Sequence, residues 1–268
     1  MTLNAEWLWT PFDGKAEGTS FNKGDMSKSE YQKEVRFYAD IVLRHDVHML
    51  TISEIENAAV ARDIAERLGP HWQVYFKQGR DTATGQDVAI LSRLESHNAR
   101  PSEANDYGFP AGYVAGYKKP KRLSKLVGVH FNLAESGTGL TSLNILTSHF
   151  LSKRNESPAK RAKRWMQAEA LVNAANRQPV AQATIVAGDL NDWVRSKTLQ
   201  TLQDKLRLKS VLTDCRKRSD AADIKKNVRS EYSVDHILFK GLKCIDHYFV
   251  DLKDYSDHPG LIARFVAQ

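Results

Sequence analysis

Apolar residues recur along the chain with two different spacings, one typical of helices and one typical of buried strands. Helical spacing behind capping signals predicts helices over residues 29–44, 58–68 and 158–176. Short apolar runs predict strands over residues 47–52, 73–77, 87–92, 126–133, 143–148, 183–187, 232–239, 245–250 and 261–266. Many consecutive strands mixed with long helices indicate two packed sheets flanked by helices.

Glycine and proline are scattered along the 268 residues, so no linker divides the chain and we expect a single domain over residues 1–268. Residues 98–120, which are rich in Gly, Pro, Tyr and Ala, are predicted to form a long surface loop. The two cysteines, Cys215 and Cys244, are interpreted as reduced buried thiols, with a single disulfide as the alternative. Apolar runs are too short to span a bilayer, so an integral membrane protein is not expected.

Polar residues of a small set of types follow several of the predicted strands. They lie at 53–54, 148–149, 188–191, 233–236 and 256–258, where Ser, Glu, Asp, Asn, His and Gly recur. Each position taken alone also has a structural interpretation as a turn, a helix cap or a packed histidine. The recurrence at strand ends nevertheless favours a site, because functional groups commonly lie where strands end.

Two of these positions indicate particular chemistry. Asp189 and Asn191 are two residues apart after an apolar run, so an extended chain directs both to one side, where they suit Mg²⁺ and a phosphate oxygen. His258 has the intrinsic pKa of a general base near neutral pH, and Asp235 is a candidate for orienting its ring.

In order along the chain, seven stretches resemble the motifs of the endonuclease/exonuclease/phosphatase superfamily. They are NAEWL at 4–8, SEIEN at 53–57, GQDVAILSR at 85–93, TSHFLSK at 147–153, VAGDLND at 186–192, YSVDHI at 232–237 and YSDHP at 255–259. The set spans nearly the whole chain, which makes it far more specific than any single motif. The resemblance implies an α/β fold, a four-layer α/β/β/α sandwich of two mixed sheets flanked by helices.

The resemblance also implies roles for individual residues. Metal binding falls to Glu54 and Asp257 with Asn4 beside them, and the metal is expected to be Mg²⁺, with Mn²⁺ as a substitute. The remaining roles are water activation for Asp189, phosphate binding for Asn191, the general base for His258 oriented by Asp235, and phosphate contact or leaving-group protonation for His149. Arg122 and Lys153 are expected to contact the substrate.

The net charge of +7 and basic segments at 118–125, 153–154 and 160–164 favour a polyanionic substrate. We therefore expect a monomeric nuclease that acts on DNA, with a phosphoesterase acting on a small or lipid phosphoester as the alternative. A DNA-binding module on an inactive nuclease fold is a third hypothesis. Trp165, Trp193 and Tyr113 are interpreted as packing residues or as stacking platforms. The sequence does not fix the localisation: we expect a soluble, cytoplasmic protein from the chain as written, or a secreted one if an upstream signal has been removed.

Overall fold

Two six-stranded mixed β-sheets form the centre of the computed structural model, which describes residues 1–10, 26–79, 85–94, 100–102, 123–134, 136–220, 225 and 228–268. The strands are β1 (Thr2–Leu8), β2 (Met49–Ile55), β3 (Gln73–Phe76), β4 (Asp87–Ser92), β5 (Arg100–Ser102), β6 (Leu126–Asn132), β7 (Ser142–Ser148), β8 (Ala183–Asp189), β9 (Lys209–Ser210), β10 (Asp235–Lys240), β11 (Leu242–Val250) and β12 (Gly260–Ala267). The first sheet has the order β11-β12-β1-β2-β4-β3, and the second has the order β5-β6-β7-β8-β10-β9.

The helices are α1 (Lys28–Arg44), α2 (Ala58–Leu68), α3 (Pro158–Arg177), α4 (Lys197–Leu206) and the short α5 (Val211–Asp214). Apolar side chains of α1 and α2 pack against the first sheet, and those of α3 and α4 pack against the second. A third apolar cluster, which includes Ile90, Val129, Ile145 and Leu261, fills the space between the sheets. These three packed layers of side chains hold four layers of secondary structure, which confirms the predicted sandwich.

Side-chain caps fix where the first three long helices begin. Ser27 forms a capping box with Glu30 at the start of α1, Asn57 accepts from the backbone of α2, and Ser157 caps α3 ahead of Pro158. Gly69 ends α2 with a φ of 111°, a backbone conformation that residues with a side chain rarely adopt. None of the helices in the described part of the chain combines the length and the hydropathy that a membrane span needs.

The structure differs from the sequence prediction at several elements. α4 was not predicted, because its buried side chains include Thr198 and Thr201. The sequence of this helix therefore lacks a continuous apolar face, although that face is buried. The strand predicted to begin at 232 begins at Asp235, since Ser230–Tyr232 form a 3₁₀ turn. Residues 100–102 form a strand, so the loop prediction was wrong there, and the rest of the 98–120 segment lies outside the described residues.

The prediction of reduced thiols was also wrong, and its alternative was correct, because Cys215 and Cys244 form a disulfide. Cys215 follows α5 and Cys244 lies in β11, and their Cα atoms are 5.7 Å apart, which is within the range a disulfide spans. Their separation of 29 residues in sequence gave no sign of this proximity, which arises because α5 packs against β11.

Replacing both Cys215 and Cys244 by serine is expected to lower the free energy of unfolding by about 3 kcal/mol, because the bond closes a long loop in the unfolded chain. Urea denaturation under oxidising conditions measures this loss. The wild-type protein in excess thiol serves as the control and should unfold at the midpoint of the double variant. An oxidised wild type no more stable than the variant would contradict the prediction.

Candidate active site

Five strands come together at one end of the sandwich and carry polar residues identified in the sequence. In the first sheet β1 and β2 are parallel neighbours, with Asn4 in register with Ser53. In the second sheet β7 and β8 are parallel, and Asp189 at the end of β8 pairs directly with Asp235 of the antiparallel β10. Side chains that are far apart in sequence therefore converge because of the strand directions.

The backbone is unusual at two residues of this cluster. Glu54 has a φ of 62° within a register shift of β2, and Asn191 has a φ of 51° just beyond β8. Left-handed conformations are uncommon for residues other than glycine and cluster at functional sites. Gly188 meets a different requirement, since a Cβ there would lie 2.3 Å from the carbonyl oxygen of Ser148. The glycine thus lets β7 and β8 approach closely beside the cluster.

Asn4 joins the two sheets through its side-chain amide. Its Nδ2 donates to Glu54 Oε1 at 2.9 Å and to Asp189 Oδ2 at 3.0 Å, while its Oδ1 accepts from the backbone N–H of Glu6 at 2.8 Å. In this arrangement Asn4 orients two carboxylates, and its oxygen is already engaged elsewhere. Its predicted place beside the metal ligands fits these contacts, although its own binding of a metal stays a prediction.

Two residues that sequence analysis did not single out support Glu54. Gln86 donates from Nε2 to Glu54 Oε2 at 2.7 Å, and Lys125 Nζ lies 3.4 Å from Gln86 Oε1. Burial raises the pKa of the Glu54 carboxyl, and the hydrogen bond from Asn4 opposes that rise. Gln86 belongs to the motif at 85–93, but only the folded position of β4 beside β2 shows what its side chain contacts.

His149 completes a group with the two carboxylates. Its Nε2 is 3.6 Å from both Glu54 Oε1 and Asp189 Oδ2, and its buried Nδ1 has no hydrogen-bond partner within the described chain. Burial, with the nearby charges of Lys125 and His258, lowers its pKa well below the usual range, so the ring is neutral at physiological pH.

Glu54, His149 and Asp189 offer ligand atoms that lie within 4.8 Å of one another. The carboxylate oxygens of Glu54 and Asp189 are the ligand type that Mg²⁺ and Mn²⁺ prefer, whereas the imidazole of His149 suits other transition metals better. A cation between these carboxylates would also offset the free-energy cost of burying two negative charges. The two carboxylates therefore fit the expected metal, and Glu54 and Asp189 would hold it at the meeting point of the two sheets.

His258 and Asp235 form a second candidate group, with His258 Nδ1 at 2.7 Å from Asp235 Oδ2. Burial opposes protonation of this imidazole, but the Asp235 carboxylate and its hydrogen bond outweigh burial and raise the pKa of His258 to about 10. Asp189 belongs to the same group, and burial together with Asp235 raises the pKa of its carboxyl. This leaves Nε2 of a partly exposed, oriented imidazole beside the carboxylate cluster.

The remaining predicted residues differ in how closely they join this cluster. Asn191 adjoins it, since its N–H donates to Asp189 Oδ1 at 3.0 Å and its Nδ2 donates to the carbonyl of Phe150 at 3.0 Å. Asp257 is 75% exposed, 3.6 Å from His258 Nε2, and belongs to neither group of metal-ligand candidates in the described chain. Its role as a metal ligand stays a prediction. Arg122 lies outside the described residues.

Lys153 is held by Asp192, which centres a buried network beside the site. Lys153 Nζ is 3.0 Å from Asp192 Oδ1, and Thr198 donates to Asp192 Oδ2 at 2.8 Å. Arg164, whose side chain is fully buried, bonds Asp192 and Glu156 and reaches the carbonyls of residues 151 and 152. Sequence analysis placed Arg164 only in a basic helix segment, and nothing in its spacing indicated that it is buried.

Buried carboxylates, an amide and two histidines converge at one end of a four-layer sandwich, an arrangement with the groups that metal-assisted hydrolysis uses. The model of the endonuclease/exonuclease/phosphatase family matches residues 22–258, and the chain belongs to this family. Its members are hydrolases that act on phosphoesters and generally use divalent metals.

Solved structures show the same fold at low sequence identity. An endonuclease/exonuclease/phosphatase from Bacteroides vulgatus is 13% identical with a TM-score of 0.67, covering 100% of this chain and 97% of its own. The beta toxin of Staphylococcus aureus is 14% identical with a TM-score of 0.63 and 98% coverage of both chains. A mannosyl-6-phosphatase from Bacteroides thetaiotaomicron is 16% identical with a TM-score of 0.61, covering 93% of this chain and 97% of its own. No curated protein matches the chain in sequence.

Replacing Glu54 by glutamine is expected to raise the Mg²⁺ concentration needed for half-maximal activity by roughly tenfold or more, because a charged oxygen donor is lost. Titrating activity with Mg²⁺ measures the change. The control is Glu66→Gln, which removes an exposed carboxylate from α2 and should leave the titration unchanged. An unaltered metal requirement in the Glu54 variant would place the cation elsewhere.

Proposed function

We propose that this protein is a divalent-metal-dependent phosphodiesterase that hydrolyses DNA, and that it acts as a single-domain monomer. The observation that carries the proposal is the His258–Asp235 pair at 2.7 Å beside the Glu54, His149 and Asp189 group. Cleavage of a phosphodiester needs an activated water, neutralised phosphate charge and a stabilised leaving oxygen. The cluster contains a residue suited to each of these tasks.

The roles of the chain's own residues follow from their contacts. Asp235 accepts the Nδ1–H of His258 and so orients the ring with Nε2 beside the cluster. The raised pKa of this imidazole would fall beside the positive charge of a bound cation, which favours the neutral form that can take a proton from water. Asp189 fixes Asn4 and the backbone of Asn191, and Asn191 lies close enough to the cluster to donate to a phosphate oxygen. The neutral ring of His149 carries one N–H, which can donate to a phosphate oxygen or to the leaving oxygen. When bound, the cation neutralises phosphate charge and polarises the water.

Positive charge supports DNA as the substrate. The chain carries a net charge of +7, and Lys153 and Arg229 lie on elements next to Asn191 and Asp235. Cations beside a site attract a polyanion and strengthen its binding at low salt. The same core chemistry also suits smaller phosphoesters, and the mannosyl-6-phosphatase and the beta toxin with this fold make a phosphoesterase of small or lipid substrates the second candidate.

Conversion of supercoiled plasmid to nicked and linear forms tests the proposal. We expect the wild-type protein to nick the plasmid with Mg²⁺ and to lose this activity in EDTA. Phosphate release from a sugar phosphate, or phosphocholine release from sphingomyelin vesicles, is measured on the same preparation. Folded protein that releases either product but cleaves neither the plasmid nor single-stranded DNA would overturn the DNA proposal and favour the second candidate.

A further inference from the structure

Two exposed aromatic side chains contact each other next to the candidate site. Trp193 is 46% exposed and Tyr232 is 49% exposed, and they are the aromatic members of the exposed large hydrophobic residues in the described chain. Their ring centroids are 5.3 Å apart at an interplanar angle of 70°. We call Trp193 and Tyr232 the aromatic pair. Exposed aromatic rings in contact beside a site are a surface on which a planar group can stack.

The aromatic pair is attached to the site through short backbone segments. Trp193 follows Asn191 by two residues, and Tyr232 precedes Asp235 by three. A cavity of about 330 Å³ is lined by Arg229, Tyr232, Asp235 and His258 among others, so open space runs from Tyr232 to the imidazole. When a phosphate of the substrate lies at His258, this cavity has room beside Tyr232 for the nucleoside attached to that phosphate.

Each ring of the aromatic pair also carries a cation. Lys153 Nζ lies 4.2 Å from the centroid of Trp193, and the guanidinium of Arg229 lies 4.6 Å from that of Tyr232. Asp192 anchors Lys153, and Glu231 binds Arg229, so both cations are positioned without contacting the central carboxylates. Aromatic rings interleaved with cations are the combination that binds single-stranded nucleic acid, where bases stack and phosphates pair.

We infer that the aromatic pair, Trp193 and Tyr232, is a subsite for an unpaired nucleobase next to the scissile phosphate, with Lys153 and Arg229 contacting the flanking phosphates. This inference rests on the proposed function and specifies its substrate further. A planar base can cover the exposed ring surface, whereas base pairs inside a regular duplex keep their faces stacked on one another. The enzyme is accordingly selective for single-stranded or locally unpaired DNA.

Binding of two eight-nucleotide oligomers to the His258→Ala protein in Mg²⁺ tests this subsite without turnover. One oligomer is oligothymidylate, and the other has the same phosphates with tetrahydrofuran abasic units. Fluorescence anisotropy is expected to show at least roughly tenfold tighter binding of the oligomer with bases, since stacking stabilises each bound base. Adding Trp193→Ala and Tyr232→Ala should bring the ratio of the two affinities close to one.

Conservative variants separate stacking from a general loss of structure. Trp193→Phe and Tyr232→Phe retain ring faces and should preserve most of the preference for bases. Trp165→Phe is the matched control and should leave the ratio of the two affinities unchanged. Lys197 Nζ lies 3.6 Å from the Trp165 ring centroid, but the indole N–H of Trp165 donates to Thr201 and so links α3 to α4. Equal binding of both oligomers by the parent protein, or an unchanged ratio in the double alanine variant, would overturn the inference.

The two proposals fail in distinguishable ways. Plasmid nicking by the wild type with no preference for bases in the binding assay would retain the nuclease function and remove the subsite. A preference that depends on the aromatic pair, without any cleavage of plasmid or single strands, would retain the base subsite and remove DNA hydrolysis.

Discussion

Replacing His258 by alanine is expected to lower kcat on plasmid DNA by at least about 10²-fold while KM changes little. The reason is that Nε2 of His258 is the proposed base, with Asp235 orienting its ring, and a proton-transfer group acts mainly in the transition state. Initial rates of nicking over a range of plasmid concentrations measure both constants. A kcat within a fewfold of the wild type would contradict the assignment of His258 as the base.

Two further variants separate the base from its orientation. Asp235→Asn keeps the His258 imidazole but removes the carboxylate that accepts its Nδ1–H, so kcat should also fall. His71→Ala removes an exposed histidine from the turn after α2 and should leave both constants unchanged. A loss of activity in all three proteins would point to an unspecific cause.

Replacing Arg164 by methionine is expected to lower the free energy of unfolding by about 3 kcal/mol or more. Methionine has a similar volume, but it leaves the acceptors around Arg164 without their charged donor. Arg164 Nη2 donates to Glu156 Oε2 at 2.6 Å, and its Nε lies 3.4 Å from Asp192 Oδ2. Lys153 still neutralises Asp192 in the variant, so we expect a loss at the lower end of the range that is typical when one partner of a buried ion pair is removed. Denaturant unfolding measures the change.

A neighbouring arginine supplies the control for this prediction. Arg161 lies on the same helix, contacts the same Glu156 at 3.6 Å, and is 59% exposed. Arg161→Met should change the free energy of unfolding by less than about 1 kcal/mol, as exposed ion pairs contribute little. Equal stability of the two variants would contradict the prediction, because it would show that the buried contacts of Arg164 contribute no more than the exposed contact of Arg161.

The sequence predicted the fold where the apolar pattern is regular. α2 and β4 have the predicted bounds, because Asn57 and Gly69 mark the ends of α2 and β4 is buried along its whole length. α4 was not predicted because part of its buried face is threonine. The disulfide was predicted only as an alternative to reduced thiols, because pairing depends on α5 packing against β11, which no local pattern encodes.

The candidate site was predictable as a set of strand ends but not as a set of contacts. Asp189, His258 and Asp235 were recognised from motifs, and the register of β8 with β10 then explains why they meet. The bond from Gln86 to Glu54 and the burial of Arg164 depend on neighbours distant in sequence. Periodicity records which face of an element is apolar, and it carries no information on which buried polar groups are partners.

The bond between Cys215 and Cys244 encloses the stretch of chain that carries Tyr232 and Asp235. A protease that cuts one peptide bond within this stretch would therefore produce two pieces that remain covalently linked. Nicked protein would migrate as a single band on a denaturing gel without thiol and as two fragments with thiol. In an oxidising compartment, where such bonds persist, the molecule can survive a cut beside its own active site.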